Sequence, residues 1–213
     1  MSLKSTISGC CIHCNFEQHF SFYPSVNVTE DPGLKSKVLD GLINKNTCVS
    51  CGKENHVESD IFYQDHEHKI LIEMSFSTRI DENLHANKLA LIEAFENQGY
   101  IYRKVYSYCD FVEKIKIFDK KLNDVVIQRI KNSVKLTMIQ LSKKVFNKEH
   151  GVEVNIRFKE FKRNLFSRKF VFDCMFTSSL HKDLDLDIND IDPIDLRNLY
   201  NMDMLRRRIS YAS

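Results

Sequence analysis

Two Cys-x-x-Cys motifs in the first 51 residues constrain this chain most. They read Cys11-Ile12-His13-Cys14 and Cys48-Val49-Ser50-Cys51. A two-residue gap lets both thiolates of a motif point at one cation, and two motifs complete a tetrahedral shell of four sulfurs. Thiolates select zinc over magnesium or calcium, and a shell of four sulfurs has no open position for water. The motifs therefore predict a closed zinc site in which the metal is structural. Its ligands would be Cys11, Cys14, Cys48 and Cys51.

The other cysteines fit less defined roles. Seven cysteines are an odd set, and a reducing compartment would keep them as thiols, so we do not expect a disulfide framework. One Cys-x-x-Cys alone could be a redox pair, but two such motifs favour a metal site. Cys10 is expected to be a free thiol, with replacement of a metal ligand as the alternative. Cys109 and Cys174 lie among apolar residues and are expected in the core.

Composition and charge limit the classes of protein to which this chain can belong. With 213 residues, 43% of them hydrophobic, the chain can bury a sizeable core. Lys and Arg number 31 against 29 Asp and Glu, so the whole-chain charge gives no argument for nucleic acid or membrane. A secretory signal needs roughly 7–15 apolar residues in a run and a spanning helix about 20. The sequence shows neither, so we expect a cytosolic protein with no membrane partner.

The N-terminal part has the pattern of an enlarged zinc ribbon. Alternation predicts a strand over Phe16–Tyr23, and Asp31-Pro32 predicts a short helix capped by Asp31. The runs Asn55–Tyr63 and His68–Phe76 predict two further strands. Residues 1–76 would thus surround the metal with strands and one helix.

The central and C-terminal parts predict helices and a hairpin. Helices are expected after Asp81, over Asp110–Phe118, and over a long amphipathic stretch capped by Asn123, with a strand over Tyr100–Tyr106. Two alternating segments on either side of Lys162-Arg163-Asn164 predict a hairpin, and Asp192-Pro193 would open a last helix.

These elements predict an α+β fold. Its N-terminal part would be zinc ribbon-like, elaborated by helices and antiparallel strands, and its C-terminal part a β-hairpin plus helix. We expect a domain over residues 1–148 and an extension over 149–213. Whether that extension packs on the same core stays open at this point.

With the motifs placed, the chain resembles the CpXC domain family, prokaryotic proteins named for two Cys-Pro-x-Cys motifs and predicted to bind zinc. Ile12 and Val49 stand where the family has proline, and Gln64 stands where it has histidine. The resemblance spans roughly residues 10–135 and implies a zinc-binding cytosolic domain with no defined reaction. It is carried by Val26–Lys35, Val38–Gly41, Cys48–Gly52 and Glu113–Asp119.

Our main functional hypothesis is a non-enzymatic cytosolic zinc protein that acts through protein interaction or regulation. The zinc ribbon would be the scaffold, and a protein partner of unknown identity would bind its surface. An immunity-type protein that neutralises a toxin is one form of this hypothesis.

The alternative is nucleic-acid binding by residues 143–169, which carry nine basic and three acidic residues. Phenylalanines Phe158, Phe161 and Phe166 interleave them, as backbone neutralisation with base stacking would require. A solvated hairpin face with phenylalanines turned into the core is the competing interpretation. The candidate contacts are Lys143, Lys144, Arg157, Lys159, Lys162, Arg163, Arg168 and Lys169.

An enzyme is the least favoured class. The best constellation is Asp65-His66-Glu67-His68 in a predicted turn, where the two histidines could hold a second metal if a third ligand were present. Most such turns are simply polar loops. The sequence has no Gly-rich phosphate loop, G-x-S-x-G elbow or H-E-x-x-H motif, which removes several enzyme classes.

Overall fold

The computed structural model of the chain describes residues 1–76, 82–146, 152–163 and 168–178. The chain divides into two compact units, Met1–Leu122 and Asn123–Ser213, and each is described by itself. The described residues form four helices and nine strands, which confirms the predicted α+β class.

The first unit contains seven strands and three helices in the described residues. In chain order they are β1 Leu3–Cys10, β2 Glu17–Asn27, α1 Gly33–Leu39, β3 Lys45–Thr47, β4 Glu54–His56, β5 Ile61–Asp65, β6 Ile70–Met74, α2 Glu82–Glu96, β7 Ile101–Val105 and α3 Tyr108–Asp119.

Five of these strands form one mixed sheet in the order β1-β2-β5-β6-β7. The pairs β1–β2 and β5–β6 are antiparallel, whereas β2–β5 and β6–β7 are parallel. A parallel pair needs a long crossover connection. The first crossover contains α1 and the separate two-stranded sheet β3–β4, and the second contains α2. The first crossover is the part that carries the second cysteine motif.

The main apolar cluster of this unit lies on one face of the central strands. Tyr63 of β5 packs edge-on against Phe111 of α3 with ring centroids 5.9 Å apart. Ile72 of β6 and Ile115 of α3 belong to the same buried cluster, as does Val38 of α1. Every residue of β6 is buried, because a central strand next to a parallel partner is covered on both faces.

The structure corrects three expectations for this unit. Asp31 was expected to cap α1, but Pro32 holds the cap position and Asp31 Oδ2 instead accepts the backbone N–H of Ser2 at 2.9 Å. The predicted strand Asn55–Tyr63 is two short strands, β4 and β5, that belong to different sheets. Strand β1 has no counterpart in the sequence-based elements. The predicted cap of α2, Asp81, lies outside the described residues.

The second unit contains α4 (Asp124–Phe146), β8 (Val152–Arg163) and β9 (Arg168–Ser178) in its described part. Asn123 caps α4 as predicted, since its Oδ1 accepts the backbone N–H groups of Val125 and Val126 at 2.9 and 3.2 Å. Strands β8 and β9 form the predicted antiparallel hairpin. The helix expected from Asp192-Pro193 lies outside the described residues.

Candidate metal centre

Each cysteine motif forms the turn of a β-hairpin, and the two turns have the same hydrogen bonds. In the β1–β2 turn, the N–H of Cys11 donates to Phe16 O and the N–H of Asn15 donates to Cys11 O, both at 2.9 Å. In the β3–β4 turn, Cys48 donates to Lys53 O and Gly52 to Cys48 O, again at 2.9 Å. Each turn therefore presents its first and second cysteine in the same way.

The residue after the second cysteine lets each turn close. Asn15 has φ +58° and Gly52 has φ +71°, both in the left-handed region. Glycine adopts this region freely, and asparagine does so more readily than other residues with side chains. The backbone N–H of this residue can then return to the first cysteine, which holds the two intervening residues at the tip of the turn.

The two turns bring the four cysteines of the predicted site together. One ligand atom from each of them lies within 4.8 Å of all the others. The Sγ atoms of Cys11 and Cys51 are 3.7 Å apart, and those of Cys14 and Cys48 are 3.6 Å apart. Four sulfurs at about 2.3 Å from a tetrahedral ion would be separated by roughly 3.8 Å, so this arrangement fits a metal ion.

The two halves of the centre differ in exposure. Cys11 and Cys48, the first cysteine of each motif, are 2% and 1% exposed, whereas Cys14 lies at the surface. All four are free thiols with no disulfide among them. One side of the cluster is therefore sealed by protein and the other faces outward.

Hydrogen bonds to Cys11 Sγ favour its thiolate form. The backbone N–H of His13 and the side-chain Nδ2 of Asn55 each lie 3.4 Å from this sulfur. Burial disfavours the charge, but these bonds, with a further one from the backbone of Cys14, outweigh it and lower the pKa of Cys11 to about 6. Cys11 is therefore ionised more readily than an ordinary cysteine.

Cys14 has the opposite tendency. The backbone N–H of Phe16 favours its thiolate, but burial and the hydrogen bonds shared with the other three thiols prevail. They raise the pKa of Cys14 to about 11. A cation placed among the sulfurs would remove this cost, since its charge stabilises every thiolate.

Asn55 of β4 joins the two hairpins beside the sulfurs. It is 5% exposed, and its Oδ1 accepts the backbone N–H of Ile12 at 3.0 Å. Its Nδ2 also donates to Lys53 O at 3.2 Å, within its own turn. No motif marked this residue in the sequence, because its role depends on the contact between the hairpins.

Other amide side chains fasten the same two hairpins farther from the sulfurs. Asn46 of β3 accepts the N–H of Ser21 at 2.8 Å and donates to Ser21 O at 2.9 Å. Gln18 of β2 accepts the N–H of Val49 at 3.0 Å. The cysteine cluster thus lies at one end of a row of hydrogen bonds that joins the β1–β2 and β3–β4 hairpins.

The remaining cysteines lie outside the cluster. Cys10 is exposed and belongs to no group of potential ligands that the structure describes. The expectation of a core thiol was wrong for Cys109, which is exposed at the start of α3. Cys174 is half-buried, and burial with the nearby Asp173 raises its pKa.

His66 and His68 have different neighbours. His68 Nδ1 lies 2.9 Å from Asp65 Oδ2, and its backbone N–H donates to Asp65 Oδ1 at 3.0 Å. His66 Nδ1 lies 2.9 Å from the hydroxyl of Tyr100. Within the described residues, the four cysteines form the one group of three or more potential ligands that lie close enough to share an ion.

The basic residues that were candidate nucleic-acid contacts lie in two regions of the chain. Lys143 and Lys144 lie near the end of α4, where the structure describes no side chains. The others lie on the β8–β9 hairpin, and Phe158 between them is 3% exposed. The hairpin positions are Arg157, Lys159, Lys162, Arg163, Arg168 and Lys169.

None of the helices described by the structure is both long and apolar enough to cross a membrane. A family model described as CpXC protein matches residues 10–131, which is more than half of the chain. The match begins beside the first cysteine motif and ends within α4. No curated protein and no solved structure matches the chain. The chain therefore belongs to the CpXC family.

Proposed function

We propose that the four cysteines bind one zinc ion, which fastens the β3–β4 hairpin to the β1–β2 hairpin. The observation that carries this proposal is the convergence of four Sγ-bearing residues from two equivalent turns to within 4.8 Å. The ligands would be Cys11, Cys14, Cys48 and Cys51.

The choice of zinc rests on ligand chemistry. Four thiolates in a tetrahedral arrangement are typical of zinc or iron–sulfur sites, and magnesium or calcium would require oxygen ligands. A four-sulfur shell leaves no position for water or substrate, so the metal would be structural. Structural zinc in small domains contributes about 10–16 kcal/mol of apparent binding free energy, which here would hold the β3–β4 hairpin, whose strands contain no apolar residue.

The proposed role of the protein is non-enzymatic and depends on a protein partner. Ile12 and Val49 occupy the same position in the two turns, and each is 80% exposed. Phe16, which accepts the N–H of Cys11, is 45% exposed. Rigid turns that present apolar side chains to solvent favour a contact surface. The proposed compartment is the cytosol, where reducing conditions would keep the ligands as thiols.

Elemental analysis tests the metal. Protein purified without chelator or metal-affinity tag should contain one zinc ion per chain, and Cys48→Ser should lose it. Cys10→Ser and Cys109→Ser are the matched controls, since both remove an exposed thiol outside the cluster, and both should retain full zinc. Iron in place of zinc, or metal retained in Cys48→Ser, would contradict the proposed site.

Partner capture tests the interaction. The zinc-loaded chain with Ile12→Ser and Val49→Ser should lose a partner that wild type retains from cytosolic extract. Leu136→Ser, which removes an apolar side chain 64% exposed on α4, is the control and should retain the partner. Equal capture by the double variant would place the contact elsewhere on the molecule.

A further inference from the structure

The end of the β8–β9 hairpin pairs basic residues with basic residues. Lys162 lies directly opposite Lys169, and Arg163 lies directly opposite Arg168. The four residues that connect these strands, 164–167, include no acid. Four positive charges therefore occupy two successive cross-strand pairs.

This arrangement costs stability in the isolated protein. Like charges placed directly opposite on neighbouring strands repel each other, whereas an acidic residue at one position of each pair would attract. Lys162 Nζ forms an ion pair with Glu160 Oε1 at 3.0 Å, but the side chain of Lys162 is 63% exposed and that of Glu160 is 41% exposed. An ion pair in such a position contributes little, so the two opposed pairs stay strongly basic.

The basic surface continues along the outer face of the hairpin. Arg157 and Lys159 are both exposed, and Lys159 Nζ lies 3.2 Å from Asp173 Oδ1. The described hairpin strands together carry six basic and three acidic residues. Basic residues thus occur along the hairpin and are most numerous at its end. A row of positive charges of this kind complements a polyanion with regularly spaced charges.

The phenylalanines of the hairpin lie on the face opposite to Arg157, Lys162 and Lys169, and the terminal Arg163–Arg168 pair takes a register position on the phenylalanine face. A bulge between Phe158 and Glu160 shifts the alternation of β8 by one residue, so that Phe161 follows Phe158 on the same face. Phe158 packs edge-on against Phe172, and Phe161 lies with its ring centroid 5.0 Å from that of Phe170. These rings contact each other within the hairpin and do not form a platform for unstacked bases.

We propose that the end of the β8–β9 hairpin binds the phosphate backbone of double-stranded nucleic acid, without reading its sequence. The opposed basic pairs supply the counter-charge for phosphates, and a bound backbone relieves their mutual repulsion. The internal pairing of the phenylalanines favours a duplex over a single strand. This binding is separate from the metal centre and does not depend on it.

The test is anisotropy titration of the full chain with a fluorescent 20-base-pair DNA duplex between 50 and 200 mM salt. Each phosphate neutralised contributes about −0.9 to the slope of log affinity against log salt, so four contacts predict a slope of about −3.6. Lys162→Gln with Lys169→Gln should reduce the steepness of that slope by about 1.8 and weaken binding at least tenfold at 50 mM salt. Lys37→Gln with Lys116→Gln makes the same change of charge at exposed positions and should stay within about twofold of wild type.

Stability measurements separate loss of contact from loss of fold. The Lys162/Lys169 double variant should melt no lower than wild type, since it removes a repulsive pair. No duplex binding at 50 mM salt, or equal loss in the control variant, would overturn the proposal. Tighter binding to a single strand of the same length would also overturn it, as would binding to phosphatidylserine vesicles without binding to the duplex.

Discussion

The side-chain Nδ2 of Asn55 donates a hydrogen bond to the Sγ of Cys11 at a distance of 3.4 Å. The same side chain accepts the backbone N–H of Ile12, so one buried residue of the β3–β4 hairpin fixes both a thiol and the turn of the other hairpin. Groups that orient metal ligands from outside commonly raise the affinity of a metal site. Asn55 therefore couples the contact between the two hairpins to the ionisation of the Cys11 thiol.

Asn55→Ala should weaken metal binding. The variant removes the hydrogen bond that favours the Cys11 thiolate and frees the turn that contains Ile12. Loss of such an outer partner typically costs about 10–100-fold in metal affinity. Competition with a chromophoric chelator would measure the change.

Asn46→Ala is the matched control for this measurement. Asn46 also joins the two hairpins, through two hydrogen bonds to Ser21, but no hydrogen bond of its side chain reaches a sulfur. It should lower the free energy of unfolding while changing metal affinity less than Asn55→Ala does. Equal losses of affinity in the two variants would show that the sulfur contact has no role of its own.

Metal removal should loosen the turns and leave the central strands ordered. The backbone N–H groups of Cys11, Asn15, Cys48 and Gly52 are bonded within the turns, and the apolar residues of the turns, Ile12 and Val49, are exposed. Strands β5 and β6 lie in the buried core, and the turn hydrogen bonds of the two motifs involve no residue of these strands. Hydrogen exchange before and after chelation should show faster exchange at the four turn amides and little change in Ile61–Asp65. Global unfolding on chelation would instead show that the whole first unit depends on the metal.

Gly52 should tolerate asparagine and reject valine. Its φ of +71° lies in the left-handed region, and no atom in the described part of the chain stands within 4 Å of an added Cβ, so the backbone conformation, and not crowding, sets the cost of a substitution. Asn15 shows that asparagine is accepted at the equivalent position of the other turn. Gly52→Val should lower the free energy of unfolding by about 1–2 kcal/mol, and Gly52→Asn by clearly less. Chemical denaturation of the zinc-loaded variants measures both, and equal losses would refute the equivalence of the turns.

The cluster of four cysteines could be predicted from sequence because its members are local pairs. Cys11 and Cys14 lie in one turn whatever the rest of the chain does, and so do Cys48 and Cys51. The cap of α4 at Asn123 was predicted for a similar reason, since its bonds reach only two or three residues along the chain. The α+β class followed from the same local periodicities.

Features that depend on distant pairing could not be predicted in the same way. Strand β1 is an edge strand with Leu3 and Ile7 more than half exposed, so burial imposes no alternation on it and β2 alone holds it in register. The parallel pair β2–β5 joins segments separated by a helix and a second sheet. The role of Asn55 likewise arises only when the two hairpins meet.

Tyr63→Phe should stabilise the protein. The hydroxyl of Tyr63 is buried with no hydrogen-bond partner among the residues that the structure describes, and burial with the nearby carboxylates of Asp65 and Asp119 raises its pKa. A buried polar group without a partner costs about 1–3 kcal/mol, so its removal should raise the free energy of unfolding by about 1 kcal/mol. Tyr108→Phe is the control, because the hydroxyl of Tyr108 donates to Val38 O and its loss should be destabilising. A destabilised Tyr63→Phe would indicate that an ordered water serves this hydroxyl.

Glu73 of β6 should make stability depend on pH in the acid range. Burial opposes its charge, but hydrogen bonds from Lys88 and Tyr102, with the charges of Lys88 and Lys104, prevail and lower its pKa. A lowered folded-state pKa means that ionised Glu73 stabilises the fold above its unfolded pKa of about 4.3, and that this contribution is lost as pH falls through the folded value. Glu73→Gln should therefore cost most near pH 7, and its cost should shrink steadily below about pH 4.3, as followed by denaturation of both proteins at each pH. Glu58→Gln removes an exposed carboxylate and is the control for the loss of one negative charge. A cost of Glu73→Gln that stays constant with pH would mean that the hydrogen bonds of Glu73, and not its charge, stabilise β6 and β7.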